Sequence, residues 1–102
     1  MRVVALVGDL LDRSKIAAAI PDVVFASAPD ESAGADTVVI DVKAHPDAVA
    51  AVRKLVPSAR VVAYGRHDNP EALAAATSAG ADAALPRSRF FHDPAAAITF
   101  SP

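Results

Sequence analysis

A chain of 102 residues with a formal net charge of −2 and no cysteine has room for one domain and no means of making a disulfide, a thiolate metal site or a cysteine nucleophile. Charges of both signs are interspersed and no basic stripe exists to neutralise phosphates, which argues against direct nucleic-acid binding. Hydrophobic residues make up 53% but aromatic ones only 5%, with alanine supplying much of the difference, so a core forms but each side chain buries little area.

The first element is the apolar, β-rich run Arg2–Val7, too short for a membrane span or a signal segment, and it stops at Gly8-Asp9. The expected setting is the cytoplasm, with no membrane partner. Leu11–Ile20 has helical character and is stopped by Pro21. Val23–Ala26 is a second short strand. The Ser-, Pro-, Gly- and acid-rich stretch Ser27–Asp36 predicts a loop, or at most one helical turn. Thr37–Val42 is a third strand, buried on both faces and carrying a carboxylate, Asp41, where the apolar run ends.

His45-Pro46-Asp47 starts a helix, with proline at the first position and an acid in the first turn. Val49, Val52 and Val56 give that helix an apolar face, and Arg53 and Lys54 suit its C-terminal dipole. Arg60–Tyr64 is the fourth strand. Asn69-Pro70-Glu71 starts the next helix and Gly80 stops it. Ala81–Leu85 is a short fifth strand, and Asp93-Pro94 leaves room for a last helix of a turn or two.

Alternation of short apolar strands with helices implies a parallel sheet covered on both faces, in one domain spanning 1–102. The flavodoxin-like strand order 2-1-3-4-5 brings Gly8-Asp9, Asp41, Gly65-Arg66 and Arg87-Ser88 to the carboxyl edge of that sheet, where such folds bind ligands.

The stretch Ala74-Ala75-Ala76-Thr77-Ser78-Ala79-Gly80-Ala81-Asp82-Ala83-Ala84-Leu85 resembles the fourth helix, Ala-Gly-Ala turn and fifth strand of response-regulator receiver (CheY-like) domains, and the resemblance extends over residues 2–91. It implies a three-layer sandwich with the second helix missing or reduced and the fifth short. It also implies a five-part site. Asp41 matches the phosphoacceptor. Asp9 matches the second of two acids that hold Mg²⁺, and the first falls on Gly8. The hydroxyl residue after strand 4 falls on Gly65, the lysine after strand 5 on Arg87, its following proline on Ser88, and the aromatic of strand 5 on Ala84. Two carboxylates in place of three weaken a Mg²⁺ site. Gly65 has no hydroxyl to follow a phosphoryl group, and arginine does not substitute for lysine in a close-fitting site.

Arg66 and His67, with Arg87, can form a small anion site, or can cap the neighbouring helix and pair with nearby acids. His45, His67 and His92 lack metal-ligand spacing. No Ser has a nucleophile-elbow context, and one glycine at Gly8 does not make a phosphate loop. Phe90, Phe91, Ile98 and Phe100 either fold back over the sheet or form a contact surface.

The leading expectation is a stand-alone receiver-like signalling module acting by protein–protein contact, through a heterologous partner or a homodimer, with phosphotransfer degenerate or absent. Its contact face is formed by the Gly65–Pro70 loop, the Arg87–Phe91 segment and the helix between them, including Arg66, His67, Ser88, Phe90 and Phe91. The second is a working response regulator phosphorylated on Asp41, with Mg²⁺ on Asp9 and Asp41 and Arg87 on the phosphoryl group. The third is a small-anion or nucleotide sensor using Arg66 and Arg87.

Overall fold

The computed structural model describes residues 1–99. Five parallel strands, β1 (Val3–Leu6), β2 (Val24–Phe25), β3 (Thr37–Asp41), β4 (Arg60–Gly65) and β5 (Ala83–Pro86), form one sheet in the order β2-β1-β3-β4-β5. Five helices connect or follow them: α1 (Leu10–Ala19), α2 (Ala48–Leu55), α3 (Pro70–Ser78), α4 (Arg87–His92) and α5 (Pro94–Thr99). Among the described residues no helix is long and apolar enough to cross a membrane.

The period-2 alternation of the strands divides the core into two layers. Val4, Leu6, Val38, Ile40, Val61 and Ala63 face α2 and α3, whose buried Val49, Val52 and Ala76 cover them. Val3, Ala5, Val39, Val62 and Tyr64 face the other way, under Ile16 of α1, Phe90 of α4 and Ile98 of α5. The result is the expected flavodoxin-like three-layer sandwich.

Between β2 and β3 the expected loop contains one 3-10 turn, Pro29–Ser32, packed beside α2. The reduced second helix is therefore a single turn. The C-terminal region departs from expectation. Residues 87–92 carry no helix-start signal, yet they form α4, because that turn places Phe90 in the core. Asp93 then caps α5 by accepting the Ala96 N–H at 3.1 Å. The fifth helix of the resemblance is thus two six-residue helices. Phe100 lies outside the described residues.

Arg53, placed by its sequence position as a dipole-compensating residue, does more. Its guanidinium donates to the carbonyls of Pro57, Ala59 and Gly80 and pairs with Asp82 at 2.7 Å. Gly80 ends α3 at φ 118°, a conformation open to glycine, and lies directly against the Arg53 side chain. One side chain thereby ties the ends of α2 and α3 to the start of β4 at the amino edge of the sheet.

Candidate functional site at the carboxyl edge

The opposite edge holds a cleft of about 570 Å³. Its floor is Asp41, delivered by the end of β3 and only 7% exposed. One carboxylate oxygen accepts the Lys43 N–H at 3.1 Å, and the Asp41 carbonyl accepts the His45 N–H at 2.9 Å, which turns the chain away toward α2. Asp41 takes part in no ion pair among the described residues.

Asp9 stands across the cleft at the N-cap of α1, with extended backbone and its Oδ1 accepting the Asp12 N–H at 3.0 Å. Lys15 and Lys43 stand on the rim. Asp9 and Asp41 are the residues that could hold a cation. Each has one oxygen engaged by a backbone N–H, and among the described residues no cluster of three or more Asp, Glu, His or Cys ligands forms. Mg²⁺ binds such minimal sets only with several waters or a substrate phosphate completing its octahedron.

Arg87 opens α4 on the wall beside Asp41, but its fork is turned elsewhere. Nη1 and Nη2 each donate at 2.7 Å to the two oxygens of Asp12, a bidentate pair. Tyr64, fully buried in β4, donates its hydroxyl to the same carboxylate at 2.9 Å. Asp12 is itself 1% exposed. The Arg87 guanidinium lies 5.2 Å from the centre of the Phe91 ring and 5.6 Å from that of Tyr64, which adds cation–π attraction.

The titration behaviour follows this geometry. The hydrogen bonds from Arg87 hold the Asp12 carboxyl below the usual carboxylate range against the opposing effect of burial, and Tyr64 helps. The same pair raises Arg87 further. Burial first, then the charges and hydrogen bonding of Asp41 and Asp12, push the Tyr64 phenol up. This network has an ionised acid, a permanent cation and a neutral phenol at all ordinary pH values.

Asp12 carries no site signal in the sequence. An acid in the first turn of a helix ordinarily complements the dipole at the surface. Its spacing from Ile16, four residues on, was the available signal, since the two share the buried face of α1.

The two glycines that replace functional groups of the resemblance differ in surroundings. A Cβ on Gly8 would meet nothing within 4 Å. A Cβ on Gly65 would lie 2.9 Å from Cγ2 of Val42 and 3.3 Å from Cδ2 of Leu73.

Of the expected contact residues, Arg66, His67, Ser88 and Phe91 all line the cleft. Arg66 is occupied by a two-point pair with Asp68 at 2.8 and 2.9 Å, exposed on both sides, while Asn69 caps α3. Phe91 is half-buried, under the Lys15 ammonium at 5.4 Å. Phe90 must be corrected. It is fully buried, stacked on Tyr64 at 4.8 Å, and belongs to the core rather than to any contact surface.

No protein-family model matches the chain, and no curated protein does. Solved structures do. A response regulator from Burkholderia pseudomallei, solved with a phosphorylated aspartic acid, a calcium ion and citrate, superposes with a TM-score of 0.80 at 14% identity, over 96% of this chain and 66% of its own. The chain thus spans just under two thirds of that protein. A response regulator from Thermotoga maritima superposes with a TM-score of 0.71 at 15% identity, over 84% of this chain and 83% of its own. The chain has the receiver fold. Identity this low carries the architecture and not the chemistry.

Proposed function

We propose that the chain is a receiver-fold signalling module that works in the cytoplasm by contact with a protein partner or a second copy of itself, and is not an enzyme. Phosphotransfer on Asp41 is degenerate. The supporting observation is the commitment of Arg87. It occupies the position of the lysine that would neutralise a phosphoryl group, and each of its Nη atoms donates an N–H to buried Asp12, whose charge it neutralises. Catalysis of phosphoryl transfer is mostly positioning and charge neutralisation, so the cation has to be available. Releasing it leaves Asp12 buried without a counterion. Breaking a fully buried pair costs about 3–5 kcal/mol. With the Arg87 side chain 40% exposed, about 2–3 kcal/mol is the appropriate figure. The released state then has a population on the order of one per cent.

The contact face of this reading is the cleft rim, formed by Arg66, His67, Ser88 and Phe91. Incubation with acetyl phosphate and Mg²⁺, followed by intact-mass measurement, tests the central claim. The expected spectrum shows no gain of a phosphoryl group.

A second reading, a working response regulator, is favoured by one observation: Asp41 carries no ion pair and shares its cleft with Asp9. A phosphoryl adduct that disappears in Asp41→Asn would establish it in place of the first. The anion-sensor reading is weaker, because Arg66 and Arg87 are each held by a carboxylate of their own. Stabilisation by phosphates or nucleotides in a thermal-shift screen would revive it.

A further inference from the structure

A second concavity of about 400 Å³ lies along β5, beneath α4 and α5, and shares no residue with the Asp41 cleft. β5 is an edge strand, and α5 puts only alanine side chains over its outer part. The floor is apolar: Ala83 and Leu85 from β5, Ala96 and Ala97 from α5. Alanine on both sides leaves the space open, and the volume lies within the range of small-molecule sites.

The polar rim is unevenly satisfied. Arg60, the first residue of β4, and Arg89 of α4 both line the groove, and neither makes a side-chain hydrogen bond or salt bridge among the described residues. The Nε of Arg60 is buried with no partner among the described residues. A buried donor left unmade is costly, whereas a donor that meets an acceptor only when a ligand arrives is a common way of holding one. His92 stands beside them.

The two acids on the same rim are already engaged. Asp82 accepts from Arg53 at 2.7 Å and from the Val61 N–H at 2.8 Å, and these contacts hold its pKa down against burial. Asp93 accepts from Ala96 at the start of α5. Two guanidinium groups without a side-chain partner, Arg60 and Arg89, therefore stand on the rim with two carboxylates that each have a hydrogen-bond partner. One oxygen of each acid is engaged, Asp82 Oδ2 and Asp93 Oδ1, while Arg60 and Arg89 keep their side-chain donors, so the unspent capacity above the apolar floor is mostly donor capacity.

We infer that this groove binds a small aliphatic carboxylate, its chain on the alanine and leucine floor and its head group between Arg60 and Arg89. Arginine suits this role because its planar fork matches a carboxylate. The inference is independent of the proposed function and would hold whichever chemistry Asp41 performs.

The test is a backbone-amide NMR titration of the full chain with octanoate below its micelle-forming concentration, and with octanol and a peptide bearing a free C-terminal carboxylate as comparators. The expected result is saturable binding of octanoate, with shifts clustered at Ala83, Leu85, Ala96 and Ala97. Octanol should bind about tenfold more weakly or worse, and so should octanoate to Arg60→Gln and to Arg89→Gln. Ala97→Phe, which fills the groove, should abolish the shifts. Arg89 is exposed, so its variant keeps the fold even if Arg60→Gln does not. Absence of saturation, equal binding of octanol, shifts at the Asp41 cleft, preference for the peptide, or unchanged affinity in Arg89→Gln would each overturn the proposal.

Discussion

The two walls of the Asp41 cleft differ at the positions where the receiver resemblance would place functional groups. On the β1–α1 wall, Gly8 is exposed, with open space where a side chain would project, and Asp9 remains as the helix cap. On the wall made by β4 and β5, Val42 and Leu73 have closed over Gly65, and Arg87 has been drawn into a buried network with Asp12 and Tyr64. One wall leaves such a position open; the other packs over it. A group can be added at an open position at little cost, whereas a packed wall resists because the neighbouring packing depends on its present arrangement. The difference separates residues that stand at the cleft without packing into it from those that hold the fold.

The largest effect belongs to the packed wall. Arg87→Met removes the cation paired with Asp12 and should lower unfolding free energy by about 2–3 kcal/mol at pH 7, read from urea denaturation. The pair also predicts a pH dependence. The folded pKa of Asp12 lies below its unfolded value, so its contribution is complete above the unfolded carboxylate pKa of about 3.9 and fades as pH falls through the folded value. The gap between the parent and Arg87→Met should therefore narrow below about pH 4. Adding Asp12→Asn to Arg87→Met should recover part of the loss at pH 7, as expected for a coupled pair. A loss under about 0.5 kcal/mol would mean that Arg87 is a surface residue and that this wall is as open as the other.

Gly65→Thr comes next. Its Cβ would press on Cγ2 of Val42, a β-branched side chain with little rotamer freedom. Overpacking of this kind costs about 1–2 kcal/mol. Val42→Ala in the same chain should relieve much of it, and the double variant should be more stable than the sum of the two single changes. Thermal unfolding of the three variants measures this. Additive losses would place the clash elsewhere.

The same contrast explains what the sequence made legible. Four strands were visible as short β-rich runs and the fifth as the short segment Ala81–Leu85 after the Gly80 stop, and their alternation with helices led to the observed order, because parallel connection leaves few alternatives. The reduction of the second helix to one turn was visible in the Pro- and Gly-rich segment before β3. Asp9 and Asp41 were placed correctly at one edge because both sit where a strand ends. What the sequence did not show depends on long-range pairing. Asp12 and Arg87 are 75 positions apart, and several acids near the carboxyl edge are equally plausible partners for an arginine there. Helix α4 has no start signal of its own and exists because Phe90 stacks on Tyr64. Closure over Gly65 depends on Val42 and Leu73, neither of which carries a chemical signal.

The smallest structural effect, and the sharpest test of the open wall, is Gly8→Asp. The side chain enters unoccupied space at the surface, and an acid just before α1 complements the helix dipole. Stability without metal should change by no more than about 0.5 kcal/mol. A third carboxylate beside Asp9 and Asp41 should then raise affinity for Mg²⁺. Mass action gives about 1.4 kcal/mol of stabilisation when the metal stands at ten times its Kd. A rise in Tm with Mg²⁺ in Gly8→Asp, exceeding that of the parent, is the expected outcome. Acetyl phosphate should still leave Gly8→Asp unmodified, because Arg87 remains on Asp12 and Gly65 remains without a hydroxyl. If adding this one carboxylate were enough to produce a phosphoryl adduct on Asp41, the packed wall would be no barrier to the chemistry. The distinction between the two walls would then describe their packing alone.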